Sequence, residues 1–236
     1  MYRFITTYSP KQYEVYGRKL IESIEQYSLV DPLVEWIFVE QQTLMADEDL
    51  LCFLDTWGSR KIAHGVVGNA IEYRLQAVRF AYKVFCYTDP MWSRDLGPDD
   101  WLVWLDADTI FTAQMTEDWL ARVCPDGSMG SYIGRKDWDH SECGFMGFSM
   151  ANHGREFLRK MRTFYTEDLI FGQAQWHDSF IFDRVRGAME LKYERQWHNL
   201  AKGIGGNHPW PETALGEILE HHKGPQAKKA KYGEVA

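Results

Sequence analysis

The chain has 236 residues, 26 basic and 34 acidic side chains and a formal net charge of −8; 45% of its residues are hydrophobic and 15% aromatic. This is the composition of a compact soluble protein with enough apolar surface for a sizeable core, and its acidity excludes a protein that coats nucleic acid by bulk electrostatics. Cys52, Cys86, Cys124 and Cys143 show no C-x-x-C spacing, against a zinc knuckle or disulfide framework. With no apolar run of about 18 residues and no basic-then-apolar N-terminus, the expected location is cytoplasmic.

Residues 4–8 read as a short strand. Ser9-Pro10 then supplies a hydroxyl N-cap and a proline at the first helical position. Tyr13, Tyr16, Leu20, Ile24 and Tyr27 recur at three- and four-residue steps, the apolar face of a helix that Asp31-Pro32 ends. A second strand is expected over residues 33–39. Asp47, Glu48, Asp49 and Asp55 read as an acidic surface stretch, and residues 57–69, with Gly58, Gly65 and Gly68, as a mobile loop. Ile71, Leu75, Val78, Tyr82 and Phe85 mark a second amphipathic helix. A turn over residues 91–100 leads into Trp101-Leu102-Val103-Trp104-Leu105, a continuous apolar run as found in strands buried on both faces. The later part predicts a short helix from Thr116, strands over 129–134 and 144–150, helices near 155–165 and 178–186, and a Gly-, Asn- and Pro-rich stretch over 197–211. Two strand–helix passages followed by a fully apolar strand predict an α/β fold with a mainly parallel sheet, helices on both sides and ligands at the carboxyl ends of the strands.

The apolar strand ends in Asp106-Ala107-Asp108, two carboxylates where the sheet opens to ligand. Hard oxygens of this kind suit Mg²⁺ or Mn²⁺, which keep open positions for a diphosphate and neutralise charge on a departing nucleotide. The plain alternative is a pair of solvated acids. A second alternative is the haloacid-dehalogenase phosphatase signature, D-x-D-x-T/V, with Asp106 as nucleophile. Here position five is Ile110, and about 100 residues precede a motif that belongs on a first strand.

Several separated pieces, in order, resemble nucleotide-sugar glycosyltransferases of the GT-A fold, and most of all the glycogenin-like retaining group. Thr6-Thr7-Tyr8 looks like the segment that holds the nucleobase. The stretch from Tyr73 to Lys83 is similar to a helix that turns a basic side chain, here Arg74, towards the donor. Asp106 and Asp108 match the metal-binding D-x-D. The segment from Glu142 to Phe148 looks like the acceptor-side strand, and His177-Asp178-Ser179 like the acidic motif that contacts the transferred sugar. Glu220-His221-His222-Lys223-Gly224-Pro225 resembles a C-terminal element giving a histidine to the metal and a lysine to the diphosphate. Two departures are that Glu142 stands where the group has Asn, and His177-Asp178-Ser179 where it has Asp-Gln-Asp character.

The resemblance implies a single GT-A domain over residues 1–236, with a nucleotide-binding half (1–110), an acceptor-side half (111–220), a small antiparallel addition and a metal- and diphosphate-binding tail (221–236). It implies transfer of a hexose-type sugar from a nucleotide diphosphate, UDP by the group's preference, to an acceptor hydroxyl on a glycan, lipid, protein or modified nucleic acid. Asp106, Asp108 and His221 are the expected ligands of Mn²⁺ or Mg²⁺, with surface histidines as the alternative for the His221-His222 pair. Thr6, Thr7, Tyr8, Arg74, Asp106, Lys223 and Gly224 are expected around the donor, and Asp178 and Glu142 at the reaction centre. Asp178 read otherwise is a helix N-cap, and for an inverting outcome Asp178, Glu142 and His177 are the candidate bases. Lys83, nine residues from Arg74 and so on the opposite side of one helix, reads equally as a surface charge. Cys143 reads as a buried small residue. Of the ten tryptophans, Trp36, Trp101 and Trp104 are expected to pack the sheet, and Trp57, Trp138, Trp176, Trp197 and Trp210 to line the donor cleft and acceptor side. A non-catalytic nucleotide-sugar binder on the same fold is the remaining alternative.

Overall fold

A computed structural model describes residues 1–27, 33–136 and 140–222. Its strands, in chain order, are β1 (Tyr2–Tyr8), β2 (Val34–Glu40), β3 (Val66–Val67), β4 (Ala70–Ile71), β5 (Trp101–Leu105), β6 (Thr109–Phe111), β7 (Gly130–Ile133), β8 (Glu142–Ser149), β9 (His198–Asn199) and β10 (Leu219–His221). Six of them form one sheet in the order β2-β1-β5-β8-β7-β9. β1 is parallel to β2 and β5, and β7 to β9, while β8 is antiparallel to both β5 and β7. Five strands therefore share a direction, the mainly parallel α/β arrangement expected, and β8 alone is reversed. β6–β10 and β3–β4 are small antiparallel pairs.

The apolar run of β5 is buried at every position because both faces are covered. Leu102 and Trp104 belong to one core with Ile5, Met146 and Phe148, under helices Glu48–Trp57, Ala77–Thr88, Gly154–Thr166 and Asp178–Tyr193. Trp101, Val103 and Leu105 belong to the other, with Phe4 and Phe145, against helices Arg18–Tyr27 and Glu117–Val123 and the segment around Trp210 and Leu219. The period-two alternation of β5 thus feeds two cores from one strand.

Local chemistry starts and stops these elements largely as read. Ser9 accepts from the Gln12 N–H at 3.2 Å while Gln12 Oε1 accepts from the Ser9 N–H at 2.8 Å, a reciprocal cap worth about 1 kcal/mol. Four readings change. The helix expected from Ile71 begins at Ala77. Glu72 N–H donates to Gly65 O and closes the β3–β4 hairpin, and Ile71 is 71% exposed, so residues 57–69 are a defined turn and hairpin start instead of a loop. The acidic stretch at 47–55 is only partly solvated: the Asp47 side chain is buried, caps helix Glu48–Trp57 and pairs with Arg162 at 2.6 Å. Finally, Trp197 and Trp210 are buried in the two cores, so they are not surfaces on which a sugar could stack. Trp57 stacks on Phe171 at 3.7 Å and donates to Asp168, and Trp176 packs edge-on against the same Phe171. Trp138 and the segment 223–236 lie outside the described residues.

Candidate active site

The reversal of β8 builds the site. Leu105 pairs with Phe145, so residues 142–144 lie beside the chain leaving the carboxyl end of β5, and Asp106 N–H donates to Gly144 O at 2.8 Å. Asp106 O then accepts from both the N–H and the hydroxyl of Thr109, a tight turn that sends the chain into β6. β6 pairs with β10 in a register that sets Thr109 opposite His221, and His222 N–H donates to Asp108 O at 3.1 Å. Two acids at a strand end and a histidine more than a hundred residues later thus become neighbours through backbone pairing.

The ligand atoms of Asp106, Asp108 and His221 all lie within 4.8 Å of one another. His221 Nε2 is 3.3 Å from Asp108 Oδ1 and 3.9 Å from Asp106 Oδ2. The two oxygens of Asp106 are divided between tasks: Oδ1 accepts from Lys83 Nζ at 2.9 Å and from Trp104 Nε1 at 2.7 Å, leaving Oδ2 towards His221. Asp108 is buried, so the strand-end acids are less exposed than the sequence suggests. His221 and not His222 faces this pair; His222 Nε2 lies 3.1 Å from Glu220. The His221 ring is wedged against Trp210 at 4.7 Å and against Gly144, where a Cβ would meet its Cε1 at 2.8 Å. Burial lowers the His221 pKa, but hydrogen bonding to Asp108 and Glu142 and the charges of Asp108 and Asp106 outweigh it and raise it to about 9.

Lys83 is largely buried, its side chain 14% exposed, and is not a surface charge. Because the helix starts at Ala77, Arg74 sits in the preceding turn and the nine-residue argument does not apply. Lys83 Nζ donates to Asp106 Oδ1, to Asp178 Oδ2 at 3.0 Å and to Cys143 O at 2.5 Å, which uses the three protons of an ammonium. Burial pulls its pKa down, but the two carboxylates more than compensate and raise it. Burial pushes the Asp178 carboxyl up, and Lys83, His177 and the Ser179 N–H together bring it below its ordinary value. The helix N-cap is His177, whose Nδ1 accepts from Phe180 N–H at 3.3 Å while Nε2–H faces Gln175 Oε1 at 2.8 Å. Burial pushes the His177 pKa down to about 4.

Glu142, expected at the reaction centre, is 2% exposed, and its Oε1 lies 3.1 Å from His221 Nδ1 and 2.8 Å from His208 Nδ1. Arg74 is exposed, and its carbonyl accepts from Trp176 N–H at 2.6 Å, tying its turn to the loop that precedes Asp178. Thr6, Thr7 and Tyr8 are buried at the carboxyl end of β1; Thr7 donates to Val39 O and Tyr8 packs on Tyr13. Lys223 and Gly224 lie outside the described residues. Burial pushes the Cys143 thiol up, in keeping with a packed residue. A cleft of about 310 Å³ lies to one side, with Tyr132, Arg135, Ser141, Asp183 and Lys202 among its walls and none of Asp106, Asp108 or His221.

Sequence reasoning missed Lys83, Trp104 and His208 as parts of this arrangement. Lys83 shares its helix face with Phe80, Cys86 and Tyr87 at three- and four-residue steps, a signal of burial. Trp104 stands two residues before Asp106, hence on the same strand face. His208 carries no local pattern.

No protein family matches the chain, and no curated protein is similar to it in sequence. Among solved structures it is similar to the crystal structure of "a glycosyltransferase involved in the glycosylation of the major capsid of PBCV-1", with 14% identity, 97% of each chain covered and a TM-score of 0.47. A likeness of that degree assigns no activity to this chain, and the reading below stands on its own site.

Proposed function

We propose that this chain is a metal-dependent glycosyltransferase that moves a sugar from a nucleotide diphosphate, UDP by the resemblance of its motifs, to an acceptor hydroxyl, with residues 1–236 acting as one catalytic unit. The observation that carries the reading is the convergence of Asp106, Asp108 and His221 at the carboxyl end of β5, with the other oxygen of Asp106 pinned by Lys83 and Trp104. Two carboxylate oxygens and one imidazole fit Mn²⁺ well, and Mg²⁺ less well because it favours oxygen alone. The cation, when bound, would supply positive charge to the departing diphosphate.

The chain's own residues define the rest. Asp178 is ionised at neutral pH and sits at the first turn of its helix, so it has no proton to give and, with a lowered pKa, is a weak base. Its use is as fixed negative charge beside a sugar that gains positive character, or as an acceptor for sugar hydroxyls. His177 spends Nδ1 on its helix cap, and Glu142 is buried between two histidines. All three candidate bases are thus committed, which supports a retaining outcome in which a diphosphate oxygen takes the acceptor's proton. The acceptor is read in the cleft that includes Ser141, the residue before Glu142, and Asp183, whose carboxylate accepts from the Ser141 N–H and hydroxyl. Among the described residues no helix is long and apolar enough to cross a membrane.

The test is release of nucleotide diphosphate from a panel of nucleotide sugars with and without Mn²⁺, together with UDP binding by Asp108→Asn. Manganese-dependent release that this substitution abolishes is expected. Tight manganese-dependent UDP binding by Asp108→Asn would refute the assignment; cleavage of a phosphomonoester with no release from any nucleotide sugar would establish the phosphatase instead.

A further inference from the structure

His221 presents its two ring nitrogens to different surroundings. Nε2 faces Asp108 Oδ1 and Asp106 Oδ2, while Nδ1 lies 3.1 Å from Glu142 Oε1. The same oxygen lies 2.8 Å from Nδ1 of His208, which belongs to the irregular segment before Trp210. A carboxylate only accepts, so both Nδ1 atoms donate to it. The Nδ1–H bond to Glu142 fixes the ring orientation in which Nε2 faces the two aspartates, donating to Asp108 and able to ligate once it gives that proton up, and Gly144 and Trp210 close the ring in from the sides.

We propose that His208 is a positioning residue: through Glu142 it holds His221 in the orientation and tautomer needed to ligate a divalent cation together with Asp106 and Asp108. The inference rests on the cation reading of those three residues and adds a relay behind it. Glu142 is almost fully buried, and one oxygen shared by two donors cannot swing away from His221 without also leaving His208. His208 is partly exposed, so its loss opens that oxygen to water and to other rotamers. The ligand atoms of Glu142, His208 and His221 also lie within 4.8 Å of one another, which raises the rival that this trio is itself a cation site. A cation there would take the Nδ1 that now donates to Glu142, so the rival and the relay exclude each other at a neutral imidazole.

The experiment measures the Mn²⁺ dissociation constant and stoichiometry of the full chain without nucleotide, by electron paramagnetic resonance of free Mn²⁺, with thermal unfolding run in parallel. Loss of a partner behind a metal-bound histidine costs about 10- to 100-fold in affinity; His208→Ala is expected near the lower figure, at about 10-fold. His208→Gln, which keeps a donor, should recover most of it. In a Glu142→Gln background His208→Ala should add less than about twofold, since the relay is already cut. An unchanged constant for His208→Ala, or an equal loss in both backgrounds, overturns the inference. If His208→Ala does not fold, His208→Leu against His208→Gln decides, because the two are similar in size and differ in the donor; equal affinity overturns it. Two ions bound per chain, one of them lost in His208→Gln, establishes the rival. A wild-type chain that binds no Mn²⁺, or an Asp108→Asn chain that binds it unchanged, fails the underlying cation reading instead.

Discussion

Removing Lys83 tests whether it is a strut or a donor-binding charge. Its ammonium is the shared partner of Asp106 and Asp178, and the Asp178 side chain is only 4% exposed. Lys83→Met keeps the length of the side chain and leaves a buried carboxylate without its cation, a loss of about 3 to 5 kcal/mol. For a chain of this size each kcal/mol moves the melting temperature by about 2 to 4 °C, so a fall of about 6 to 20 °C is expected. Adding Asp178→Asn should recover more than half of that fall, because the uncompensated charge is gone. The pH dependence gives a second check. In the native protein Asp178 lies below its ordinary value, so its stabilisation is present above the usual carboxylate range and lost as pH falls through the folded value. Without Lys83 the largest opposing influence is gone, and burial, resisted only by His177 and the Ser179 N–H, pushes the same group up, so the deficit of the variant should shrink as pH is lowered towards about 5. Differential scanning fluorimetry of the three proteins between pH 5 and 8 reads both effects. A Lys83→Met protein that melts within about 2 °C of wild type, a shift worth under about 1 kcal/mol, refutes the strut. If donor binding is then also weakened, Lys83 belongs to the diphosphate.

Two further substitutions probe the same centre. Gly144→Ala sets a methyl where the His221 ring now lies, 2.8 Å from Cε1 and 3.1 Å from Trp210 Cζ3; Mn²⁺ affinity should fall by about 10-fold or more while the fold persists, and unchanged affinity by titration would mean that the ring is not held by this contact. His177 has a folded pKa of about 4 against an ordinary 6.5, so it favours the native state above pH 6.5, and that contribution is lost as pH falls towards 4. The gap is worth up to about 3 kcal/mol, and His177→Asn, which can still cap the helix, should flatten the melting temperature over that range; a slope as steep as wild type would assign the acid lability to another group.

The parts of the site that were legible in the sequence are those that local pattern governs. Five apolar residues followed by two aspartates state that a strand is buried on both faces and ends in polar chemistry, and β5 does so with every residue buried. Ser9-Pro10 states a helix start and Thr116 another, because capping is decided within a turn of chain. The direction of β8 is not local. Its residues are apolar on both faces, as in a parallel strand, and only its pairing with β5 and β7 reverses it. Yet that reversal brings Glu142 and Gly144 to Asp106, so the least legible strand builds much of the site.

Lys83 is an instructive case because the misreading has a single origin. Taking the helix from Ile71 puts Arg74 and Lys83 on one rod and forces a choice between them; the hairpin β3–β4 ends that rod, and the helix that begins at Ala77 carries Lys83 alone. Once the start is moved, the neighbours of Lys83 at three- and four-residue steps are Phe80, Cys86 and Tyr87, and a lysine on that stripe must either lose its charge or meet carboxylates. It meets two, from the residue that follows β5 and from the first turn of helix Asp178–Tyr193. The ammonium therefore ties the candidate cation site to the candidate sugar site through one nitrogen. Any movement of Asp106 on cation binding must be felt at Asp178, 3.0 Å from the same nitrogen.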